Sequence, residues 1–440
     1  VLNNATVQGT IQSVAKFTAE DDAKADAVKA AGLRLQLLLG AVLGLGFFAL
    51  APVIAARAYD HPEFTRWFRV VALIPFFYSL YSVFVGSANG QRRFRVQAGF
   101  DITFSTLKTI LLLGGAVVFG LLGAFGGFVT AAGIILVISA LVMKLPRSTG
   151  ATFPISRLVS FMLGIVAYTL LINLALNYDL LLLRRFATSA ASGVEANQIA
   201  GHYEAVRNFA LLPYQALLVI TFVIFPLVSK STFEQDREAT RAYVTQTLRY
   251  AFILAMAMAS VLAARPRGLL LTFYKPEYAD GARALSILVA GIVCLALLGV
   301  AGSIINASGR PRVAGALVAT TVIVGGAAAF LIVPRQSPGP AMLAAAAFAT
   351  ALGMAAGFAA ALVYLRRLFS AGPPLPSVLR VFAATAIAIA VGRFFPGQGK
   401  IVSLLALAAA GLAFFVALIA LGEFGPQDRA KFRKILSRRA

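Results

Sequence analysis

Residues 201–230 read GHYEAVRNFALLPYQALLVITFVIFPLVSK. The run is apolar enough to cross a bilayer, yet Glu204 and Arg207 sit one turn apart at its front end. Asn208, Tyr214 and Gln215 follow just behind. A spanning helix needs about 20 apolar residues, and a charge at its centre costs roughly 2.5–3.5 kcal/mol on insertion scales. An arginine kept at that cost marks a membrane helix with work to do.

The rest of the chain agrees with a membrane setting. Of its 440 residues, 60% are hydrophobic and only 13% charged, with a mean hydropathy of +0.85. Soluble domains run about 45–50% apolar and about 25% charged. The 38 glycines suit helices whose backbones approach closely in lipid. The aromatic residues, 34 Phe and 12 Tyr with the one Trp67, suit lipid contact and interfacial belts.

Apolar runs fall at 33–56, 67–89, 103–122, 125–143, 156–183, 204–229, 246–273, 282–307, 312–333, 341–365, 377–395 and 401–422. Residues 1–17, VLNNATVQGTIQSVAKF, read as a more polar helix already under way, which makes thirteen candidate spans. The expectation is that at least one helix precedes Val1. Lys and Arg on alternate connections differ nearly two to one, and the richer side includes the tail QDRAKFRKILSRRA. The positive-inside rule then places the C-terminus in the cytoplasm. The net charge of +22 is read as this topology signal beside anionic lipid, not as a nucleic-acid footprint.

Two charged, Pro- and Gly-containing linkers, KLPRSTGATFP (144–154) and RRLFSAGPPLP (366–376), divide the chain into three blocks. These are a helix bundle over 1–148, a second over 149–370, and two further spans with a basic tail over 371–440. The fold class is an all-α polytopic membrane protein. One cysteine, Cys294, rules out a disulfide framework or a thiolate metal site, and His61 and His202 show no metal spacing. No nucleotide loop, catalytic triad or cofactor motif is visible. Transport would therefore run on an ion gradient, on membrane potential or on consumption of cargo.

Several segments carry a family likeness: QGTIQSVAKFTAED (8–21), SLYSVFVGSANGQRRFR (79–95), NYDLLLLRRF (177–186), HYEAVRNFALLPYQALLVITFVIFPLVSKS (202–231) and INASGRPR (305–312). Together with the six, six and two span plan, they resemble the polysaccharide exporters and lipid II flippases of the multidrug/oligosaccharidyl-lipid/polysaccharide exporter superfamily. The resemblance implies two six-helix bundles around a central cavity, with two C-terminal helices outside them. It also implies a flippase in the bacterial inner membrane. The cargo would be undecaprenyl-pyrophosphate-linked oligosaccharide, moved by alternating access for O-antigen, capsule or exopolysaccharide. Implied partners are that lipid-linked saccharide, membrane lipid, and a polysaccharide polymerase or chain-length assembly.

Candidate site residues follow. A guanidinium grips phosphate oxygens with parallel hydrogen bonds, and the resemblance places Arg207 in the cavity. Against this stand snorkelling to the surface and a pair with Glu204. Glu204 and Asn208 join Arg207 in the substrate set, as do Lys108 and Arg184, each with an interfacial alternative. Gln8 and Gln12 offer amides to sugar hydroxyls from the first visible helix. Asp179, flanked by Asn177, is an intramembrane carboxylate. It would bind a coupling cation, or pair with Arg184 or Arg207. The spans 312–333 and 341–365 contain no acid and offer only Thr320, Thr321 and Thr350 as polar oxygens, fewer than the sodium site of lipid II flippases has.

Three rival readings remain. A cation-coupled multidrug or metabolite antiporter would need more cavity carboxylates. A membrane glycosyl polymerase would need a large acid-bearing outer loop. A lipid II flippase would match more fully outside the eighth helix.

Overall fold

A computed structural model describes residues 2–58, 62–147, 152–397 and 399–425. His61, the basic tail and the middle of the 144–154 linker lie outside the described residues, as do the side chains of Asn3 and Asn4. Among the described residues there is no strand. Eleven helices are long and apolar enough to cross a membrane. Many large apolar side chains on them face outward, among them Val117, Leu141 and Ile401. Exposure on that scale is expected only where lipid is the solvent. The chain is a multi-pass membrane protein.

The helices run α1 (Leu2–Glu20), α2 (Ala25–Ala58), α3 (Thr65–Val71), α4 (Leu73–Gly90), α5 (Phe94–Met143), α6 (Ile155–Ala190), α7 (Gly193–Ala210) and α8 (Leu212–Phe233). They continue with α9 (Arg237–Ala264), α10 (Pro266–Phe273), α11 (Ala282–Ala307), α12 (Pro311–Ile332), α13 (Pro340–Phe369), α14 (Leu375–Phe394) and α15 (Lys400–Ala420).

Of the boundaries that differ from the sequence expectation, three have a local reason. The turn expected at 123–127 lies at Gly120, whose φ of 60° and ψ of −146° reverse α5 into two arms. Only glycine takes that backbone conformation cheaply. The arms then meet backbone to backbone, Gly115 against Gly123 and Gly127 against Leu111. The single span expected over 204–229 is interrupted at Leu211. Pro213 has no N–H to give to the carbonyl of Phe209, so Arg207 and Glu204 belong to α7. The span expected over 246–273 ends at Ala264, because Arg265 precedes a proline and leaves the helical region at φ −144°.

The chain divides into two compact units. The first comprises residues 1–170 with two later segments, 225–236 and 306–312. In it α1 lies directly on α4. A methyl at Gly90 would come within 2.6 Å of Thr18 Cβ, and one at Gly86 within 2.8 Å of the Ile11 carbonyl oxygen. The core beside them is aromatic, built from Tyr81, Phe84, Phe100 and Phe104. Buried Lys16 at the end of α1 donates to Glu20 (2.8 Å) and to the Ala307 carbonyl (2.9 Å). Arg157 of α6 reaches the same Glu20 at 3.4 Å and lies 4.8 Å over the ring of Phe17. The segment INASGRPR is thus pinned to α1 by charge.

The second unit comprises residues 171–224, 237–305 and 313–440. Gly325, Gly353 and Gly357 let α12 and α13 touch, with the Tyr178 hydroxyl seated over Gly325. The α14–α15 hairpin packs on α9. Glu423, with 1% of its side chain exposed, fastens it: the carboxylate accepts from Arg249 at 2.7 Å and from Ser377, and faces Arg380 at 3.6 Å.

Candidate functional site

The site is assembled in the second unit from α6 and α7. Ser192 caps α7, its hydroxyl accepting from the Glu195 N–H at 3.3 Å. Helical spacing from that cap puts Tyr203 and Arg207 on the face toward α6 and Glu204 toward the outside. Tyr203 is 0% exposed and Arg207 5%, whereas 48% of the Glu204 side chain is exposed.

Arg207 is held from both helices. Its Nη1 donates to Glu204 at 2.7 Å. Its Nη2 donates to the Leu176 carbonyl and faces the Asn177 amide oxygen at 3.4 Å. Its Nε faces Asp179 at 3.6 Å. Asp179 is also buried, and one oxygen accepts from the Leu180 N–H at 2.8 Å. The other accepts from the Tyr203 hydroxyl at 3.1 Å. Thr350 of α13 sits beside the hydroxyls of Tyr178 and Tyr203.

Of the partners the sequence leaves open for Asp179, the structure places Arg207 beside it. Arg184 is exposed further along α6. A guanidinium fills the space where a free cation would meet this carboxylate, and charge burial on this scale requires such pairing. Among the described residues no group of three or more His, Cys, Asp or Glu side chains could hold a metal ion.

The other expected residues lie as follows. Asn208 is exposed and its amide faces the Tyr274 hydroxyl at 3.4 Å. Gln8 and Gln12 are half-buried on α1 in the first unit. The Gln12 carbonyl oxygen is buried without a hydrogen-bond partner among the described residues. Lys108 lies on the first arm of α5, with its ammonium 5.7 Å from the Phe104 ring and 5.9 Å from the Phe128 ring. Because α5 starts at Phe94, Lys108 lies about 21 Å along the helix at 1.5 Å per residue.

Sequence reasoning missed Tyr203, the acceptor role of the Leu176 carbonyl, and Asp101. The last was left outside a span drawn from 103, and the signal available was the helix-favouring run FRVQAGFDITF directly before it.

The profile of a family described as polysaccharide biosynthesis protein matches residues 19–283. The chain belongs to that family. No curated protein sequence matches it significantly. Its fold is that of solved transporters. One is described as a multidrug resistance MATE family transporter of the MOP superfamily in an outward-facing conformation. It is 16% identical, with 84% of each chain covered and a TM-score of 0.70. A second is a MOP superfamily transporter from Pyrococcus furiosus, described as having a binding pocket of reverse polarity, with the same identity, coverage and TM-score. A third is a MATE protein in the straight conformation, 15% identical over 84% of each chain, with a TM-score of 0.72. At these identities the likeness establishes the fold alone. The chain is thus a multi-pass membrane protein of the polysaccharide biosynthesis family with the fold of those transporters.

Proposed function

We propose that this chain flips undecaprenyl-pyrophosphate-linked oligosaccharide from the inner to the outer leaflet of the bacterial inner membrane, by alternating access. The C-terminus lies in the cytoplasm, on the side richer in Lys and Arg. The observation that carries the reading is the unequal hold on Arg207. Leu176, Asn177 and Asp179 fix its plane from α6, whereas Nη1 is closed only by half-exposed Glu204.

An arriving pyrophosphate oxygen replaces the Glu204 carboxylate at Nη1. The exchange trades one anion for another on a cation already out of water, so the main desolvation cost has been met in folding. The α6 acceptors keep the fork oriented throughout, which is what charge-assisted phosphate binding needs. Asn208 and Arg184 stand on the exposed sides of the same helices.

The test is mass analysis of undecaprenyl-linked saccharides in cells lacking the chain, with wild type, Arg207→Ala or Arg207→Lys returned. One saccharide species should accumulate, wild type should clear it, and neither variant should. Clearance by Arg207→Ala would remove Arg207 from the site. No accumulation in the deleted cells would remove the lipid-linked cargo.

A further inference from the structure

The first arm of α5 carries a stripe of polar residues that the Arg207 site does not use. Asp101, Ser105 and Lys108 recur at helical spacings of four and three, so they share one face. Asp101 and Ser105 are exposed and Lys108 is half-buried. Asp101 lies about 10 Å into the helix and Lys108 about 10 Å beyond it. That separation is too great for the two to pair, and neither has an ion-pair partner among the described residues.

An aspartate and a lysine inside an apolar span do not face hydrocarbon unpaired. Beside the stripe lies an aromatic surface. Half-buried Tyr78 has its ring 5.3 Å from Phe104, and Phe104 is 6.3 Å from half-buried Phe128. Tyr81 packs on the same arm, its ring 6.3 Å from Phe100 and 6.2 Å from Phe104. The Tyr81 hydroxyl is buried and has no hydrogen-bond partner among the described residues.

We infer that Asp101, with Tyr78 near it against Phe104, is a saccharide-reading site, and that Lys108 two turns away, beside Phe128, holds the anionic end of the same ligand. A carboxylate has only acceptors, so it suits hydroxyl donors of a sugar and repels phosphate. The ring faces cover the apolar side of a pyranose. Lys108, a point charge with three donors, suits phosphate oxygens. The two-turn spacing orders the ligand: phosphate toward Gly120, sugar toward Phe94. This inference rests on the reading that the cargo is a lipid-linked saccharide.

The test uses the full chain in phosphatidylcholine nanodiscs and native mass spectrometry. Two probes are compared: the undecaprenyl-linked saccharides extracted from the host, and undecaprenyl pyrophosphate without sugar. Wild type should prefer the saccharide-bearing lipid. Asp101→Asn should cut that preference about tenfold, the loss of one or two hydrogen bonds to a charged acceptor, while binding of the bare pyrophosphate stays unchanged. Tyr78→Leu should cut the preference too, and Lys108→Gln should weaken both probes alike.

An unchanged preference in Asp101→Asn overturns the inference, as does equal binding of both lipids by wild type. Loss of both probes in Asp101→Asn also overturns it, since a sugar contact spares the bare lipid. Wild type that binds neither lipid would instead overturn the cargo reading itself.

Discussion

Replacing Asp179 with alanine should destabilise the second unit by about 3 kcal/mol. Breaking a buried ion pair by removing one partner costs about 3–5 kcal/mol, because the other charge stays buried. Here Arg207 keeps Glu204 at 2.7 Å and the oxygens of Leu176 and Asn177, which sets the low end of that range. Tyr203, 0% exposed, loses its acceptor as well, a further cost of about 1 kcal/mol that the neighbouring Thr350 offsets in part. Replacing both charges with apolar residues of similar size, Asp179→Leu with Arg207→Met, should recover most of the loss. The assay is equilibrium unfolding of the purified chain in mixed detergent and SDS micelles, run as a double-mutant cycle. The expected coupling energy is about 2–3 kcal/mol. A value near 0.6 kcal/mol, the average for polar contacts between membrane helices, would refute the reasoning, because Asp179 and Arg207 would then be neighbours without being a pair.

Other consequences follow from the packing. Glu423→Ala leaves Arg249 without its carboxylate, so the α14–α15 hairpin should loosen from α9 by about 3 kcal/mol, read as faster proteolysis around residues 370–376. Lys16→Met removes the donor to the Ala307 carbonyl and should speed amide exchange in 306–312 without changing exchange in α9. Gly90→Val forces a side chain into Thr18 and the Ala15 carbonyl. It should cost at least about 1–3 kcal/mol, seen as a lower yield of folded protein in detergent.

Much of the architecture was legible because lipid imposes one rule. Backbone polar groups must be satisfied within a helix, so long apolar runs had to be helices, and α11 to α15 begin and end within a few residues of expectation. The turn in α5 was harder. GAFGG offered three glycines, but the reversal lies at Gly120 just before them, and which glycine takes a positive φ depends on how the two arms pack. Proline did the rest of the displacement, at Pro213 and Pro266, by removing single hydrogen bonds.

The site was legible in its residue types and less so in its arrangement. Arg207 and Asp179 stood out as charges in greasy helices. Their pairing across thirty residues of sequence depends on the rotation of α7, which no periodicity specifies. The Leu176 carbonyl, which holds the guanidinium from behind, has no sequence signature at all. Asp101 was lost because the span was drawn from 103, whereas α5 begins at Phe94.

Carriage of a lipid-linked saccharide across the bilayer by this chain can be watched directly. The most direct measurement is translocation in proteoliposomes: host-extracted undecaprenyl-linked saccharide is incorporated, and the fraction open to membrane-impermeant periodate is followed with time. The wild-type chain should bring the protected half of the lipid into reach, and Arg207→Ala should not. Protection that persists equally in wild-type, variant and protein-free vesicles would contradict it.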